Sequence, residues 1–353
     1  MNNHDKIYDM FDRNSGAKPL ICVEMSGNHQ GSLDVAVEFA RSAKSAGADL
    51  LKVQVYKPDT ITFQSDFPDF KLSGDNDWVD YGTLYQLYEK AHTPWDWVAT
   101  IFTEAKKLDL PVFASPFDQT AIDFLEGLDC PIYKIASPEI TDVGLIEACA
   151  RTGKPIIMST GLASRTDLDD AVEVVRSYGV PMMILKCVSA YPTPIKDMNL
   201  ATIPWLKEVY GCSVGLSDHT LGPEASYAAT ALGATMIEKH FKLPDDIISV
   251  DAAFSMPLDE LKDLKRSLEG IHASLGKATL ELPETAKPSL SGRRSIYAVA
   301  DIAIGEPFTM DNVRSIRPSF GLPPKHLPKI LKCRAARDIL AGERISWDII
   351  EGL

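Results

Sequence analysis

Two histidines in this sequence have the residue type and the placement that can hold a metal ion. His219 lies in GLSDHT and His240 in MIEKHF, 21 positions further on (240 − 219). One helix face cannot join them, but the ends of two adjacent strands can, because neighbouring strands lie about 4.8 Å apart. A two-histidine site with Glu24 nearby and open water positions suits Mn²⁺ or a similar ion that acts as a Lewis acid. Two unrelated core histidines are the alternative.

Two lysines interrupt apolar runs, Lys52 in LLKVQVY and Lys134 in PIYKIAS. Lysine is almost never fully buried unless it is paired, so a buried acidic partner is one interpretation. The other is a bound phosphate or carboxylate, which needs cationic groups together with neutral donors. A Schiff-base lysine is a third alternative, but it does not explain the serines nearby. Those serines, which recur at the ends of the apolar runs, are Ser115, Ser137, Ser159, Ser189 and Ser217.

Short apolar runs alternate with amphipathic helical patterns along most of the chain. Runs rich in Val, Ile and Leu that are each followed by a helix indicate parallel βαβ units. Eight of them within about 240 residues favour an α/β fold of the (β/α)8 TIM-barrel type over an open doubly wound sheet. The predicted strands are 19–25, 50–56, 111–115, 131–137, 155–160, 182–188, 212–217 and 235–241. In such a barrel the C-terminal strand ends converge on one active-site mouth, where the residues named above would meet.

Further polar residues at the same strand ends are candidates for substrate contacts. They are Asn28, Gln54, Glu139 and Tyr191. The segment 57–93, after the second strand, far exceeds a typical βα connection. Long loops at this face usually form lids or pocket walls, so we expect that role for it, with a plain surface insertion as the alternative.

The chain of 353 residues exceeds the usual size of a single core, so two domains are expected. The barrel domain is predicted to span residues 1–280. The segment 281–292 is rich in Pro and Ser and is predicted to be a linker. Residues 293–353 show short strand-like pieces separated by turns, which predicts a small β-rich domain.

Composition limits the expected partners. A formal charge of −13 argues against nucleic acid or an anionic membrane surface as the main partner, but not against a small anionic substrate. No apolar run reaches membrane-spanning length, and the N-terminus lacks the apolar core of a signal peptide. The six cysteines form no CxxC and are expected to be reduced. These features are typical of a cytoplasmic enzyme or binding protein.

A series of motifs, in order along the chain, resembles the sialic acid synthase family. These motifs are VEMSGNHQGSLDVA, GADLLKVQ, FASPFD, YKIASPEITD, PIIMSTGLA, VSAYPTP, VGLSDHT and IEKHF. The tail RRSIYAVADIAIGEPFTMDNVRSIRPSFGL is similar to that family's C-terminal antifreeze-like (SAF) domain. The resemblance implies a TIM barrel that condenses phosphoenolpyruvate with an amino sugar aldehyde, giving a nonulosonic acid and phosphate. It also implies a domain-swapped homodimer in which the SAF domain covers the partner's active site.

The same resemblance implies roles for individual residues. His219 and His240 hold Mn²⁺, with Mg²⁺ or Co²⁺ as alternatives, and the metal polarises the aldehyde oxygen of the sugar. Glu24 is the implied general acid/base, a role that suits the raised pKa of a carboxyl group in an enclosed pocket. Phosphoenolpyruvate lies against Lys52, Lys134 and the five serines. The implied sugar contacts are Asn28, Gln54, Glu139, Tyr191, Asp251 and Arg317.

Three segments, EMSGNH, AHTPWDW and DAAFSM, resemble the pseudaminic acid synthase branch of the family. Asp251 is retained in the last of them, but Ala252 stands where the N-acetylneuraminate and legionaminate branches carry histidine. A less polar pocket is expected, as for a 6-deoxy sugar, so the implied acceptor is 2,4-diacetamido-2,4,6-trideoxy-L-altrose. Synthesis of legionaminic or N-acetylneuraminic acid is the alternative, and a non-catalytic carbohydrate-binding barrel is a further one.

Overall fold

The computed structural model describes residues 8–12, 16, 18–74 and 78–352. The chain forms two compact units, Met1–Gly276 and Lys277–Leu353. Each unit has a hydrophobic core of its own. Within the described ranges, no helix is both long enough and apolar enough to cross a membrane.

The first unit contains a barrel of eight parallel strands that pair in chain order and close on themselves. The first strand pairs with the second on one side and the eighth on the other, so that Glu24 lies opposite both Lys52 and His240. The strands are β1 (Leu20–Glu24), β2 (Leu50–Val55), β3 (Val112–Pro116), β4 (Tyr133–Ile135), β5 (Ile156–Ser159), β6 (Met182–Cys187), β7 (Ser213–Asp218) and β8 (Met236–Lys242), with a two-residue strand β9 (Met256–Pro257) added to β8. The predicted (β/α)8 TIM barrel is confirmed.

The fourth strand is shorter than the sequence predicts, with three residues in place of the expected 131–137. Pro131 has no backbone N–H to donate to a neighbouring strand. At the other end the chain turns into a 3-10 helix, Ser137–Thr141, with Pro138 in its first turn. Ser137 and Glu139 therefore lie in this turn at the end of the strand and not within the strand itself.

Helices follow the strands in the alternation that the sequence predicts. The amphipathic stretch 32–48 forms α1 (Leu33–Ala46). The Ser32 hydroxyl accepts a hydrogen bond at its N-terminus, and Gly47 ends it in the left-handed conformation, with φ at 98°. Further helices of this unit are α2 (Pro58–Ile61), α3 (Leu84–Ala91), α4 (Trp95–Lys107), α5 (Gln119–Glu126), α6 (Val143–Arg151), α7 (Arg165–Ser177), α8 (Thr202–Tyr210), α9 (Glu224–Ala231) and α10 (Leu261–Leu275).

Side chains alternate between the inside and the outside of the barrel along each strand, which decides where charged residues go. On β8, Glu238 and His240 share the inner face, and Lys239 between them faces outward. Lys239 Nζ lies 3.1 Å from Asp218 Oδ2, and that carboxylate also accepts a 2.7 Å hydrogen bond from Ser226 of α9. The outer pair is thus a buried structural ion pair beneath α9, separate from the charges inside.

The long connection 57–93 has secondary structure of its own, namely α2, α3 and two short 3-10 helices. Residues 75–77 of this connection lie outside the described part of the chain. Trp78 donates its indole N–H to the Val250 carbonyl over 3.1 Å. This bond ties the connection after β2 to the loop after β8.

The second unit is small and β-rich. Its strands form two antiparallel pairs, β10 (Ser295–Ala298) with β11 (Val313–Ile316) and β12 (Arg334–Ala335) with β13 (Ile350–Glu351). Its helix α11 (Leu327–Ile330) is one turn long. The segment predicted to be a linker, 281–292, contains an exposed 3-10 helix from Glu284 to Gly292.

Candidate active site

Four charged side chains of opposite sign meet inside the barrel, on β1, β2, β4 and β8. Lys52 Nζ lies 2.9 Å from Glu24 Oε2 and 3.5 Å from Glu238 Oε1. Lys134 Nζ lies 3.7 Å from the same Glu238 oxygen. All four side chains are at most 5% exposed. Both lysines thus have buried acidic partners, which is one of the two interpretations of the sequence. They also lie close together, as the other interpretation, an anion-binding site, requires.

The two carboxyl groups of this cluster differ in their pKa. Burial raises the pKa of Glu24 above its usual value, although Lys52 opposes this. Burial acts on Glu238 as well, but Lys134 and Lys52 outweigh it and hold the pKa of Glu238 below its usual value. Carboxyl groups whose environments push their pKa values apart are typical of acid/base sites. Glu24 is therefore the member of the pair that can hold a proton.

Hydroxyl groups lie beside the lysines at the barrel mouth. Lys134 donates a 2.6 Å hydrogen bond to the Ser159 hydroxyl. The hydroxyl oxygens of Ser115 and Ser189 are buried and have no hydrogen-bond partner among the described residues. Because buried polar groups are normally hydrogen-bonded, these two hydroxyls are available to a substrate.

Gly161 lets the hydroxyl groups of Ser137 and Ser189 approach one another. A Cβ atom at position 161 would lie 2.3 Å from Ser189 Oγ and 2.7 Å from Ser137 Oγ, so no side chain fits there. The Gly161 N–H donates to Ser137 Oγ over 3.0 Å. Ser217, on β7, donates to Glu238 over 3.2 Å. Ser137 and Ser189 thus meet around Gly161, and Ser217 joins the charged cluster.

His219 and His240 are brought together across β7 and β8, with ring centroids 5.3 Å apart. The Val188 carbonyl oxygen lies 2.9 Å from His219 Nδ1. Because a carbonyl oxygen only accepts hydrogen bonds, Nδ1 carries the proton, and Nε2 is the ring nitrogen left for another partner. His240 Nδ1 is buried without a hydrogen bond to any described residue. Burial holds the pKa of His240 well below its usual range, so its ring is neutral.

A divalent cation fits this pair on the chemistry of the donors, because neutral imidazole is a common metal ligand. Across the described ranges no group of three or more His, Cys, Asp or Glu side chains is arranged to hold a metal ion. The protein would therefore supply two ligands and leave the other positions to water or substrate. Burial lowers the pKa of His219, but hydrogen bonds to Cys187 and Val188 outweigh it and raise that pKa.

Aromatic rings pack against the two histidines. The ring centroid of Tyr191 lies 4.3 Å from that of His219, and the ring centroid of Phe254 lies 5.2 Å from that of His240. Trp78, from the connection 57–93, lies 5.4 Å from Tyr191 and 6.1 Å from Phe254, measured between ring centroids. The long connection therefore contributes to the wall of the site, as the sequence predicts.

Asn28, a predicted sugar contact, uses its amide nitrogen to hold the loop after β1. It donates to the Phe241 carbonyl over 2.7 Å and to the Ser255 hydroxyl over 2.8 Å. Its amide oxygen is buried and has no hydrogen-bond partner in the described residues. Only that oxygen is left to accept a bond from a substrate.

The other predicted sugar contacts lie in different parts of the fold. Gln54 donates to Glu24 over 3.1 Å, and Asp251 accepts the Gly27 N–H over 3.1 Å, so both adjoin the charged cluster or the loop after β1. Burial raises the pKa of Glu139 to about 7, so this side chain can exchange a proton near neutral pH. Arg317 directly follows β11 and belongs to the second unit, not to the barrel unit.

The sequence places Glu238 with His240 at the end of β8, among the polar residues of the barrel mouth, but it assigns Glu238 no role, because its ion pairs depend on which strands face each other. Two other residues of this site were not singled out. Cys187 was expected simply to be reduced and buried, but its sulfur lies 3.8 Å from His219 Nδ1. Ser26 has a φ of +45°, which no sequence signal indicates.

Known proteins match nearly the whole chain. The NeuB family matches residues 39–279, and the SAF domain matches residues 293–351. Pseudaminic acid synthase of Helicobacter pylori is 42% identical over 94% of this chain and 98% of that protein. N,N'-diacetyllegionaminic acid synthase of Legionella pneumophila is 29% identical over 99% of this chain and 100% of that protein. The crystal structure of N-acetylneuraminic acid synthetase from Leptospira borgpetersenii covers 79% of this chain and 92% of its own, with a TM-score of 0.70 and 29% identity.

Proposed function

The chain belongs to the NeuB family, and from this membership we propose that it is a pseudaminic acid synthase. It condenses phosphoenolpyruvate with 2,4-diacetamido-2,4,6-trideoxy-L-altrose and water, and it releases pseudaminic acid and phosphate. The observation that carries the proposal is the similarity to the Helicobacter pylori pseudaminic acid synthase. That similarity exceeds the similarity to the legionaminic acid synthase at nearly equal coverage.

Phosphoenolpyruvate binds, in this proposal, at the charged cluster inside the barrel. Lys52 and Lys134 are the buried cations there, and the hydroxyls of Ser115, on β3, and Ser189, after β6, have no partner among the described residues. The two ammonium groups lie 3.5 Å and 3.7 Å from the same Glu238 oxygen, so they are close enough together to contact one anion.

His219 and His240 would hold a divalent metal ion, for which Mn²⁺ is our choice and Mg²⁺ or Co²⁺ are alternatives. When bound, the ion supplies Lewis acidity toward the aldehyde oxygen of the open-chain sugar. The protein keeps the two imidazoles fixed, because the Val188 carbonyl orients His219 and the rings of Tyr191 and Phe254 pack against the pair.

The reaction forms a C–C bond between the substrates and a C–O bond from water to C2, and it breaks the C–O bond between C2 and phosphate. C3 of phosphoenolpyruvate attacks the aldehyde carbon, the alkoxide takes up a proton, and positive charge develops at C2. Glu24 lies opposite both Lys52 and His240, so it is placed between the two substrates to take a proton from the water that adds to C2. The tetrahedral intermediate then releases phosphate with its bridging oxygen and leaves a ketone at C2.

The aromatic wall supports a 6-deoxy acceptor sugar. Trp78, Tyr191 and Phe254 pack on one another beside the histidines, and Ala252 is buried two residues before Phe254. A methyl group at C6 leaves no polar group unpaired against such a wall, whereas a hydroxyl at C6 would lose its hydrogen bonds to water.

The acceptor is tested by measuring phosphate release with phosphoenolpyruvate, Mn²⁺ and each candidate sugar. We expect kcat/KM for 2,4-diacetamido-2,4,6-trideoxy-L-altrose to exceed that for the precursors of legionaminic and N-acetylneuraminic acid by about tenfold or more. Preference for either of those precursors would move the enzyme to that branch. No phosphate release with any sugar would favour a non-catalytic carbohydrate-binding barrel.

The proposal places the enzyme in the cytoplasm. The six cysteines, all within the described residues, are buried and form no disulfide, which suits a reducing compartment.

The proposal also includes a homodimer in which the SAF domain of one chain covers the barrel mouth of the other. Large apolar side chains, each at least 60% exposed, lie on loops that follow the barrel strands, namely Phe63, Phe67, Leu162, Leu221, Ile247 and Ile248. Exposed apolar groups at such a rim are typical of an interaction surface.

Complementation between two inactive variants tests whether Arg317 acts in the partner's site. Arg317→Ala is expected to lose most activity, and so is His219→Ala. When the two chains are co-expressed and the mixed dimers are purified with two tags, one site in each mixed dimer regains both residues. We expect such dimers to recover about half of wild-type activity. Mixed dimers that stay as inactive as the parent variants would contradict the exchange of Arg317 between subunits.

A further inference from the structure

Ser26, in the turn after β1, has a backbone conformation that serine rarely adopts. Its φ is +45°, in the left-handed region that glycine enters without a steric penalty. The residue is buried, with 8% of its surface exposed. A strained residue of this kind persists where its surroundings over-determine it, and such residues cluster at functional sites. The contacts of the Ser26 side chain indicate what that function is.

Together with Glu24, the Ser26 hydroxyl fixes the amide of Gln54. Gln54 Nε2 donates to Glu24 Oε1 over 3.1 Å and to Ser26 Oγ over 3.0 Å. An amide nitrogen carries two hydrogens, so both donors are used by these bonds. The Gln54 amide is therefore held in one orientation, and its oxygen is the group left to accept a hydrogen bond from elsewhere.

The same turn holds Asp251, on the loop after β8. Asp251 Oδ2 accepts the Gly27 N–H over 3.1 Å, and a Cβ atom at position 27 would lie 3.2 Å from Val250 Cβ. Ser26 Oγ accepts from Gln54, which leaves its own hydrogen to donate. Burial raises the pKa of Asp251, and the Ser26 hydroxyl, acting as a donor to this carboxylate, opposes that rise.

We infer that Ser26 is a positioning residue of the sugar site: its hydroxyl ends a hydrogen-bonded chain that runs from Glu24 through Gln54, and its turn holds Asp251 through the Gly27 N–H. The inference rests on the proposed function. An amide oxygen and a carboxylate are both acceptors, and the N–H and O–H groups of an acetamido sugar are donors that match them. Phosphoenolpyruvate, an anion rich in acceptors, does not match this end of the site. These hydrogen bonds thus fix the position of the sugar relative to Glu24, the acid/base residue.

The test uses Ser26→Ala, Ser26→Gly and Ser213→Ala. Ser213 is a matched control, because it is a buried serine at the start of β7 whose hydroxyl has no hydrogen-bond partner in the described residues. Both Ser26 variants are expected to raise KM for the sugar by about tenfold, because one or two hydrogen bonds are lost. KM for phosphoenolpyruvate should change less than about twofold. Ser26→Gly should melt about 1–3 °C above Ser26→Ala, because glycine relieves the strain. Ser213→Ala should keep both KM values.

A purely structural role for Ser26 gives a different pattern. Activity would then follow the melting temperature, and Ser26→Gly would use the sugar as well as the wild type does, which would overturn the inference. An equal rise of KM for both substrates would overturn it too. Failure of the proposed function would be seen separately, because the wild-type enzyme would then not turn over the altrose derivative. In that case KM of the variants is measured with the acceptor sugar that the wild type does use. Binding of each sugar is also compared between variants as the shift in melting temperature that the sugar causes.

Discussion

Replacement of His219 or His240 by alanine is expected to lower kcat/KM for the condensation by about 10³-fold or more, since Lewis-acid stabilisation of developing charge is worth several kcal/mol. The two rings lie side by side at the ends of β7 and β8, and His240 Nδ1 makes no hydrogen bond to the described residues. His219→Ala loses the hydrogen bond to the Val188 carbonyl, worth about 1 kcal/mol, so the fold should survive either change. Activity is measured by phosphate release at increasing Mn²⁺, and folding is measured by circular dichroism and thermal melting.

His272→Ala serves as the control for loss of a histidine, because His272 lies in the last turn of α10, away from the strand ends. It should keep wild-type activity and the same dependence on Mn²⁺. Metal binding can also be followed without turnover, as the stabilisation of the protein against heat by Mn²⁺, which both site variants should lose. Full activity of the double variant His219→Ala, His240→Ala after removal of metal would contradict the role of a metal ion in the reaction.

Lys52→Met is expected to lower both stability and activity, and the two effects can be separated. Lys52 is the ion-pair partner of Glu24, and both side chains are fully buried or nearly so. Loss of one partner leaves an uncompensated buried charge, which should lower the free energy of unfolding by about 3–5 kcal/mol. Loss of a cation that contacts phosphoenolpyruvate should lower kcat/KM by about 10²–10³-fold. Urea unfolding and phosphate release measure the two quantities.

The double variant Lys52→Met, Glu24→Gln, compared with Glu24→Gln alone, decides between the two interpretations of this lysine. It removes the unpaired charge, so stability should return in large part, while activity should fall well below that of Glu24→Gln alone. Lys239→Met is the matched control, because it removes another buried lysine with an acidic partner, Asp218, on the outer face of the barrel. Its folded form should keep activity within about tenfold of wild type despite a similar loss of stability. Activity of the double variant equal to that of Glu24→Gln alone would make Lys52 a structural counter-ion only.

The barrel was predictable because its signal is local. Each strand is a short apolar run followed by an amphipathic helix, and the order of the strands follows the order of the chain. The adjacency of His219 and His240 follows from that order alone, because β7 and β8 are consecutive and pair in parallel. The shortened β4 is a local effect as well, since Pro131 and Pro138 flank it, and it was missed because the run PIYKIAS fills the whole interval from Pro131 to the residue before Pro138.

The contacts inside the barrel were not predictable from one sequence, because they join strands that are distant along the chain. Glu238 on β8 reaches Lys52 on β2 and Lys134 on β4 across the interior. Strand order is readable from the apolar pattern, but the depth of each side chain depends on register, which that pattern leaves open. The contact of Trp78 with Tyr191 has the same origin, since it depends on the path of a long connection.

The most direct test of the account is the isotopic mass of the phosphate that the enzyme releases in water enriched in oxygen-18. In the proposed reaction, water adds to C2 and the bridging C–O bond breaks, with Glu24, Lys52 and Lys134 around the reacting atoms. We therefore expect phosphate to be released only when the acceptor sugar is present, and this phosphate should carry no oxygen-18. Phosphate that is released without the sugar and carries oxygen-18 would show attack of water at phosphorus, and it would contradict the condensation mechanism.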